Sequence, residues 1–305
     1  MEIRYVPYQE IDRKCWDACL SAAPNRRIYA ESVYLDTMAD QWDALIGGDY
    51  DAIMPLCYRK KYGISYLYQP AFTASLGIFS RNPEISSELV AEFLEKIPRK
   101  FRYWDIYLNH ACRIGSGQYK IWERVNYVLP LNEDYSTLSG NYRENVRRNI
   151  RKCQQQGGTL EWGNSAAEVI AQARIQASGF SSVTEIDYQR FEFVFQYYLK
   201  EGRALSAVIR GKNGQLLASA LFLLDDVRAT YILVGNHPDG RTMGASHALI
   251  DGFIQRYAGT RLLLDFEGSD IRNLAFFYSS FGAKEEYYQA IRENRLPLWL
   301  RWLKQ

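Results

Sequence analysis

The sequence is short of the residues that most directly announce chemistry. Only three histidines occur in 305 residues, and the five cysteines (Cys15, Cys19, Cys57, Cys112 and Cys153) are odd in number and scattered. Such a distribution makes neither a disulfide framework nor a metal-ligand set, so no metal is expected. Charge of one sign is lacking too. Against 35 acidic residues stand 37 basic ones, a formal net charge of +2, which implies no whole-chain attraction to nucleic acid or membrane. No stretch approaches the roughly 18 consecutive apolar residues of a membrane span. The opening MEIRYVPYQE has no apolar core of a signal peptide. A soluble, cytoplasmic setting with reduced thiols is the expectation.

What is there belongs to a folded chain. Hydrophobic residues make up 47% and aromatics 14%, which excludes a disordered polymer and, at this length, allows one large domain or two medium ones. In the first half a helix is predicted over 8–22, where Cys15 and Cys19 lie one turn apart and read as packing rather than as a redox pair. A second helix covers 30–40, and from Trp42 a tyrosine-rich meander of strands runs to Phe72. A helix over 86–97 stops at Pro98, and strands follow at 102–109 and 119–131. The second half opens with a helix over 141–157 closed by Gly157-Gly158. A capping box, Ser165 with Glu168, starts another helix, and Asp187 caps a third that runs to Gly202. A hairpin turns at 211–214 and leads into the strand ATYILVG. Helices, meander, helix, strand, helix and strand thus occur twice. The layout is α+β with mixed sheets, in two domains, 1–135 and 136–305.

The second domain carries the chemistry-bearing stretch, Tyr231 to Gly282: strand, glycine-containing turn, helix, strand, helix. Arg241, Gly244, Ala245 and Ser246 stand at the turn, where free N–H groups and the helix dipole favour an anion such as phosphate. Asp265 and Glu267 alternate with Leu264 and Phe266, which puts both carboxylates on one side of a strand's carboxyl end. They read as a base or amine anchor, or else as a helix cap or ion-pair partners. Arg143, Arg147 and Arg151 recur at helical spacing and make either an anion-binding stripe or a solvated face. Trp42, Tyr66, Tyr68 and Gln69 line an acceptor cleft or pack in a core. His237 and His247 flank the turn and read as structural or surface residues.

The run from Arg241 through Gly244 to Ser246 resembles the Arg/Gln-x-x-Gly-x-Gly/Ala motif of the GNAT acyltransferase superfamily, with Ser246 where Gly or Ala is usual. Some thirty residues on, NLAFFYSSFGA from Asn273 is similar to the Asn-x-x-Ala-x-x-Tyr-x-x-x-Gly-Phe helix of that superfamily; Tyr278 is kept and Ala283 replaces the final aromatic. The basic RNIRKCQQQGG, the strand LLLDFEGS and FFYSSFGA together resemble the FemAB-like branch, which joins two GNAT-like domains in one chain. The resemblance implies two tandem acyl-CoA N-acyltransferase-like domains, the first degenerate, in a bacterial transferase. It implies an acyl donor of the coenzyme A type, such as acetyl-CoA, held by Val234, Arg241, Gly244, Ala245, Ser246 and Asn273. Tyr278 would protonate the leaving sulfur, Glu267 or Asp265 would act as base, and an amine would be the acceptor. Fem-type enzymes instead take amino acids from aminoacyl-tRNA to peptidoglycan precursors, so a tRNA-linked donor is the alternative. The helical arm of many tRNA-using members has no room here, since residues 160–203 hold only two short helices. A GNAT-like pair that binds a ligand without catalysis is the third reading.

Overall fold

The computed structural model describes residues 1–115, 117, 119–163, 165–177, 183–267 and 270–297. Its contacts divide the chain into two compact units, residues 1–124 with 287–305, and residues 125–286. The division expected at 135/136 followed sequence order alone. In the structure the late strand Lys284–Asn294 pairs through Ala290–Asn294 with Phe101–Tyr107, which returns the end of the chain to the first unit.

In the first unit β1 (Ile3–Val6), α1 (Arg13–Ala22), α2 (Ser32–Met38), β2 (Gln41–Gly47), β3 (Ala52–Lys61), β4 (Ile64–Leu67), β5 (Phe79–Ser80), α3 (Ser87–Glu95) and β6 (Phe101–Tyr107) follow in order. Asp12 caps α1 by accepting from the N–H groups of Lys14 and Cys15, so the expected helix over 8–22 begins only at Arg13. Of the Cys15/Cys19 pair only Cys19 is buried; both are free thiols. Strands β1 to β4 are antiparallel neighbours, whereas β4 and β6 run parallel. Phe93, Phe101 and Trp104 are fully buried in the core beneath them.

The second unit takes up the chain with β7 (Ile121–Pro130), α4 (Tyr135–Gly140), α5 (Glu144–Gln155), β8 (Thr159–Trp162), α6 (Ala166–Ala177) and α7 (Glu185–Lys200). Next come β9 (Ala204–Arg210), β10 (Leu216–Leu224), β11 (Arg228–Asn236), α8 (Pro238–Met243), α9 (Ala245–Tyr257), β12 (Leu263–Asp265) and α10 (Arg272–Ser279), after which β13 (Lys284–Asn294) carries the chain into the first unit. The cap of α7 is Thr184 rather than Asp187: their side chains close a capping box, with Asp187 in the first turn. The Gly268-Ser269 end of the LLLDFEGS segment lies outside the described residues. Strand order is β7-β12-β11-β10-β9-β8, and only the β11–β12 pair is parallel. The plan of the first unit, an antiparallel meander ending in one parallel pair, is therefore repeated.

The β11–β12 pair is short and locked. Its three rungs join Arg228, Ala229 and Thr230 to Leu263, Leu264 and Asp265. Arg228 is buried with its guanidinium between the carboxylates of Asp265 and Glu286, and Asn126 donates to Asp265 at 2.8 Å. Burial works against the arginine's charge, but the two carboxylates outweigh it and raise its pKa. Removing one member leaves charges buried without a partner. Arg228→Met is expected to cost about 3–5 kcal/mol of unfolding free energy, read by urea denaturation of the intact chain; a loss below about 1 kcal/mol would show the group to be dispensable.

Candidate active site

Beyond Thr230 the two parallel strands separate. β12 ends at Asp265, while β11 continues to Asn236, paired on its other side with β10. A bulge sits at that point: Leu221 and Phe222 of β10 face Leu233 and Tyr231, so Ile232 is an extra residue in β11. Bulges bend a strand and re-aim its side chains. The β12 side is turned by the chain itself, because Asp265 accepts from the Glu267 N–H at 2.8 Å and Glu267 takes a left-handed φ of 60°. The separated strands open a cavity of about 320 Å³.

Five elements line this cavity, β11, α10, α8, α9 and, through Gln176, α6. Tyr231, Val234 and Asn236 come from β11; Asn273, Phe277 and Tyr278 come from α10. Arg241 of α8, Gly244, Ser246 and His247 supply a third side. The expected turn is really a joint between two helices. α8 ends and α9 begins at Gly244, whose φ is +79° and where a Cβ would lie 2.5 Å from the Asn149 carbonyl oxygen, so no other residue fits. At Gly240 a Cβ would stand 1.9 Å from the Leu217 carbonyl oxygen, which lets α8 lie directly on β10. No side chain caps the start of α9, and the first N–H groups of a helix have no intrahelical acceptor. Arg241 stands beside that start. Ala245 turns its methyl into the core and offers only backbone. Ser246 donates its hydroxyl to Asn236 Oδ1 at 2.5 Å, which ties α9 to the end of β11.

The Val234 N–H faces the open edge. The His237 N–H bonds to Leu217 of β10 and the Asn236 N–H bonds away from β10, to the Gln176 side chain at 2.6 Å. Strand alternation then directs Val234, two residues before Asn236, to the same open side.

The carboxylates expected to share a side are separated. Asp265 is 3% exposed and occupied by Arg228, Asn126 and the Glu267 N–H. It is an ion-pair residue, and neither it nor Glu267 is among the residues that line the cavity. Glu267, turned by its left-handed φ, stands beside Tyr278. Burial pushes the Glu267 carboxyl well above the usual carboxylate range although the residue keeps some exposed surface. Burial, and then the charge of Glu267, push the Tyr278 phenol up as well. Tyr278 is held by stacking on Phe266, centroids 4.6 Å apart.

The remaining candidates are elsewhere. Arg143 precedes α5 as its N-cap and its guanidinium lies 4.9 Å over the Phe276 ring. Arg147 donates to the carbonyls of Ser139 and Gly140, and Arg151 pairs with Glu144 at 2.7 Å, so this face is held by its own chain. In the first unit Trp42 is 2% exposed, donates to Asp36 and packs 5.0 Å from Trp16: it is core and no acceptor cleft. The Tyr68 hydroxyl accepts from the Asp40 N–H at 2.8 Å, under the guanidinium of Arg59.

Among the lining residues, Gln176 was not singled out in the sequence and His247 was read only as structural or surface. Gln176 sits in an ordinary amphipathic helix with no signal at all. His247 did have one, its place in the first turn after the glycine joint. Its ring lies 4.7 Å from Phe277 and 3.5 Å from the Asn149 amide, and burial pushes its pKa down to about 4.

Comparisons with known proteins agree with this geometry. Residues 140–270 match the family model described as acetyltransferase (GNAT) domain. No curated protein matches the sequence. Among solved structures the chain is similar to FemX, at 13% identity over the whole of both chains and a TM-score of 0.66. It is similar to a tandem GNAT protein from the clavulanic acid biosynthesis pathway, at 10% identity over 97% of this chain and 99% of that one, TM-score 0.54. L-PGS from Bacillus licheniformis shares 12% identity over 86% of this chain and 87% of its own, TM-score 0.53. At such identities the likeness is one of fold, and it bears out the double-GNAT architecture expected from the motifs.

The histidine yields a pH prediction. Its folded pKa lies below the ordinary 6.5, so between those values the unfolded chain binds the extra proton and stability falls as pH drops. His247→Gln is expected to remove an acid-side loss on the order of 2 kcal/mol between about pH 6.5 and 4. Parallel urea curves for the two proteins across that window would count against a buried neutral imidazole.

Proposed function

We propose that this chain, whose residues 140–270 match the acetyltransferase (GNAT) domain model and whose whole length shares the fold of FemX, is an N-acyltransferase. It takes an acyl group from a coenzyme-A-type donor to an amine. The observation that carries this reading is the cavity along the open edge of β11. One end meets the uncapped start of α9 with Arg241, the other meets Tyr278, and the gap is not filled by the chain's own side chains. An open edge speaks for an enzyme over a pair of domains kept only for binding.

The residues fit such a donor. The N–H groups at Ala245 and Ser246, with Arg241, suit a pyrophosphate; Val234 suits an extended arm added along the strand edge, with Asn273 at the mouth. When bound, the donor supplies an activated thioester. The Val234 N–H polarises its carbonyl, an oxyanion contribution on the order of 3 kcal/mol. As the carbon–nitrogen bond forms and the carbon–sulfur bond breaks, Glu267 accepts the amine proton, directly or through one water, and Tyr278 gives its proton to the sulfur. The raised phenol pKa keeps the Tyr278 proton in place at neutral pH, and Glu267 accepts in its ionised form, the form that burial disfavours. Arg143, over Phe276 of α10, is the candidate contact for an anionic group on the acceptor.

The alternative donor is an aminoacyl ester of tRNA. A neighbouring structure described as the C-terminal domain of a putative lysylphosphatidylglycerol synthetase, 12% identical with a TM-score of 0.56, shares this fold, and the tandem GNAT neighbour is described as being without AcCoA. Thermal shift with a panel of acyl-CoA esters separates the readings. A bound ester at a hundred times its Kd is expected to stabilise the protein by about 2.7 kcal/mol. No shift with any ester, together with steeply salt-dependent binding of charged tRNA, would move the assignment to the alternative.

For the chemistry, Tyr278→Phe and Glu267→Gln are each expected to lower kcat by about 100-fold or more with little change in donor affinity. Glu267→Gln should also raise Tm at pH 8 and not at pH 4. A carboxyl with a raised folded pKa contributes fully below its unfolded pKa and loses that contribution as pH rises through the folded one. Unchanged kcat in both variants would remove these two residues from the mechanism.

A further inference from the structure

The open edge of β11 is not wholly vacant. Its outermost inward-facing donor, the Asn236 N–H, is taken by Oε1 of Gln176 at 2.6 Å, and Gln176 itself lines the cavity. This contact closes no ladder and caps no helix. It is a side-chain amide oxygen placed where a backbone carbonyl of an added strand would sit.

The helix that delivers it is held close. α6 lies on β11 so tightly that a Cβ at Gly235 would stand 2.9 Å from the Ala173 nitrogen and from Gln172 Cβ. One turn before Gln176, Gln172 accepts from the Ser219 hydroxyl at 2.5 Å and donates to the Leu216 carbonyl at 3.0 Å. Two glutamines at i and i+4 share a face of α6. The first anchors the helix to β10, and the second reaches the strand edge. Gln176 is solvent-exposed apart from this bond, so its side chain can leave by rotamer change alone while Gln172 keeps α6 in place.

We infer that Gln176 is a specificity residue for the donor: its amide stands in for an amide carbonyl of the donor's arm and must be displaced before that arm can pair with Asn236. The inference rests on the acyltransferase reading above. It favours donors whose arm carries an amide acceptor able to replace the Gln176 bond one for one, as the pantetheine arm of coenzyme A does. A ligand with the diphosphate but no arm leaves Gln176 where it is, because the start of α9 and Arg241 bind it without reaching the Asn236 N–H.

Calorimetric titration of the full chain with coenzyme A and with ADP tests this. Gln176→Ala is expected to tighten coenzyme A binding by about three- to tenfold, the value of one competing hydrogen bond, and to leave ADP unchanged. Gln176→Glu, whose carboxylate still accepts from Asn236, is expected to weaken coenzyme A binding about threefold or more. Equal or weaker coenzyme A binding by Gln176→Ala, or the same change for ADP, would overturn the role of Gln176 while the donor reading stands. Binding of neither ligand by the wild-type chain would overturn the donor reading and this inference with it.

Discussion

The separation of two parallel strands after three rungs is the constraint on which the rest of the second unit depends. Parallel strands buried on both faces ordinarily continue side by side, because each unpaired N–H or C=O taken from water costs free energy. Here the chain ends the pairing chemically. Asp265, in the last rung, spends one carboxylate oxygen on Arg228 and the other on Asn126 and on the N–H of Glu267 two residues ahead. That last bond folds the backbone into a turn, and Glu267 accepts a left-handed φ. On the partner strand Ile232 bulges. A cavity follows because neither strand can follow the other.

The first unit shows what the same plan does without that opening. Its parallel pair β4–β6 also ends early, at Leu67 and Trp104. There the chain closes its own gap: Gln69 accepts from the Tyr107 N–H at 3.3 Å and the Leu76 N–H bonds to the Tyr107 carbonyl at 2.8 Å. Two units of one topology thus differ in a handful of side chains: among the described residues the gap of the first holds a cavity of about 10 Å³, that of the second one of about 320 Å³. Fold is shared between them, and the size of the gap is not.

Dryness sets the proton chemistry of the open unit. Phe266 stacks on Tyr278, and Phe277 packs against His247. In that surround Glu267 holds its proton to higher pH, Tyr278 keeps its phenol and His247 stays neutral. All three shifts have burial as their largest cause. A buried carboxyl and a left-handed backbone in this wall cost stability at neutral pH.

The sequence by itself determined what depends on local chemistry. Periodicity marked most of the helices and strands, and glycine marked the joint at Gly244, because only a residue without a Cβ survives a left-handed φ against the Asn149 carbonyl. Tyr278, Arg241 and Val234 were named from the motifs and their order, and the structure sets all three in the lining of the cavity. Tertiary structure decided everything that depends on which distant group arrives. Alternation placed Asp265 and Glu267 together, but Arg228, thirty-seven residues away, claims the first, and the bond from the Glu267 N–H to Asp265 turns the second aside. The arginine stripe read as a possible anion site until Glu144 and the carbonyls of Ser139 and Gly140 met it. His247 and Gln176 had no motif, since a helix residue becomes part of a site only when another element leaves a space in front of it. The unit boundary fell where the last strand pairs, not where the sequence repeats its plan. Propensity and backbone strain act over a few residues; pairing, burial and charge compensation act across the fold, and here they chose the site.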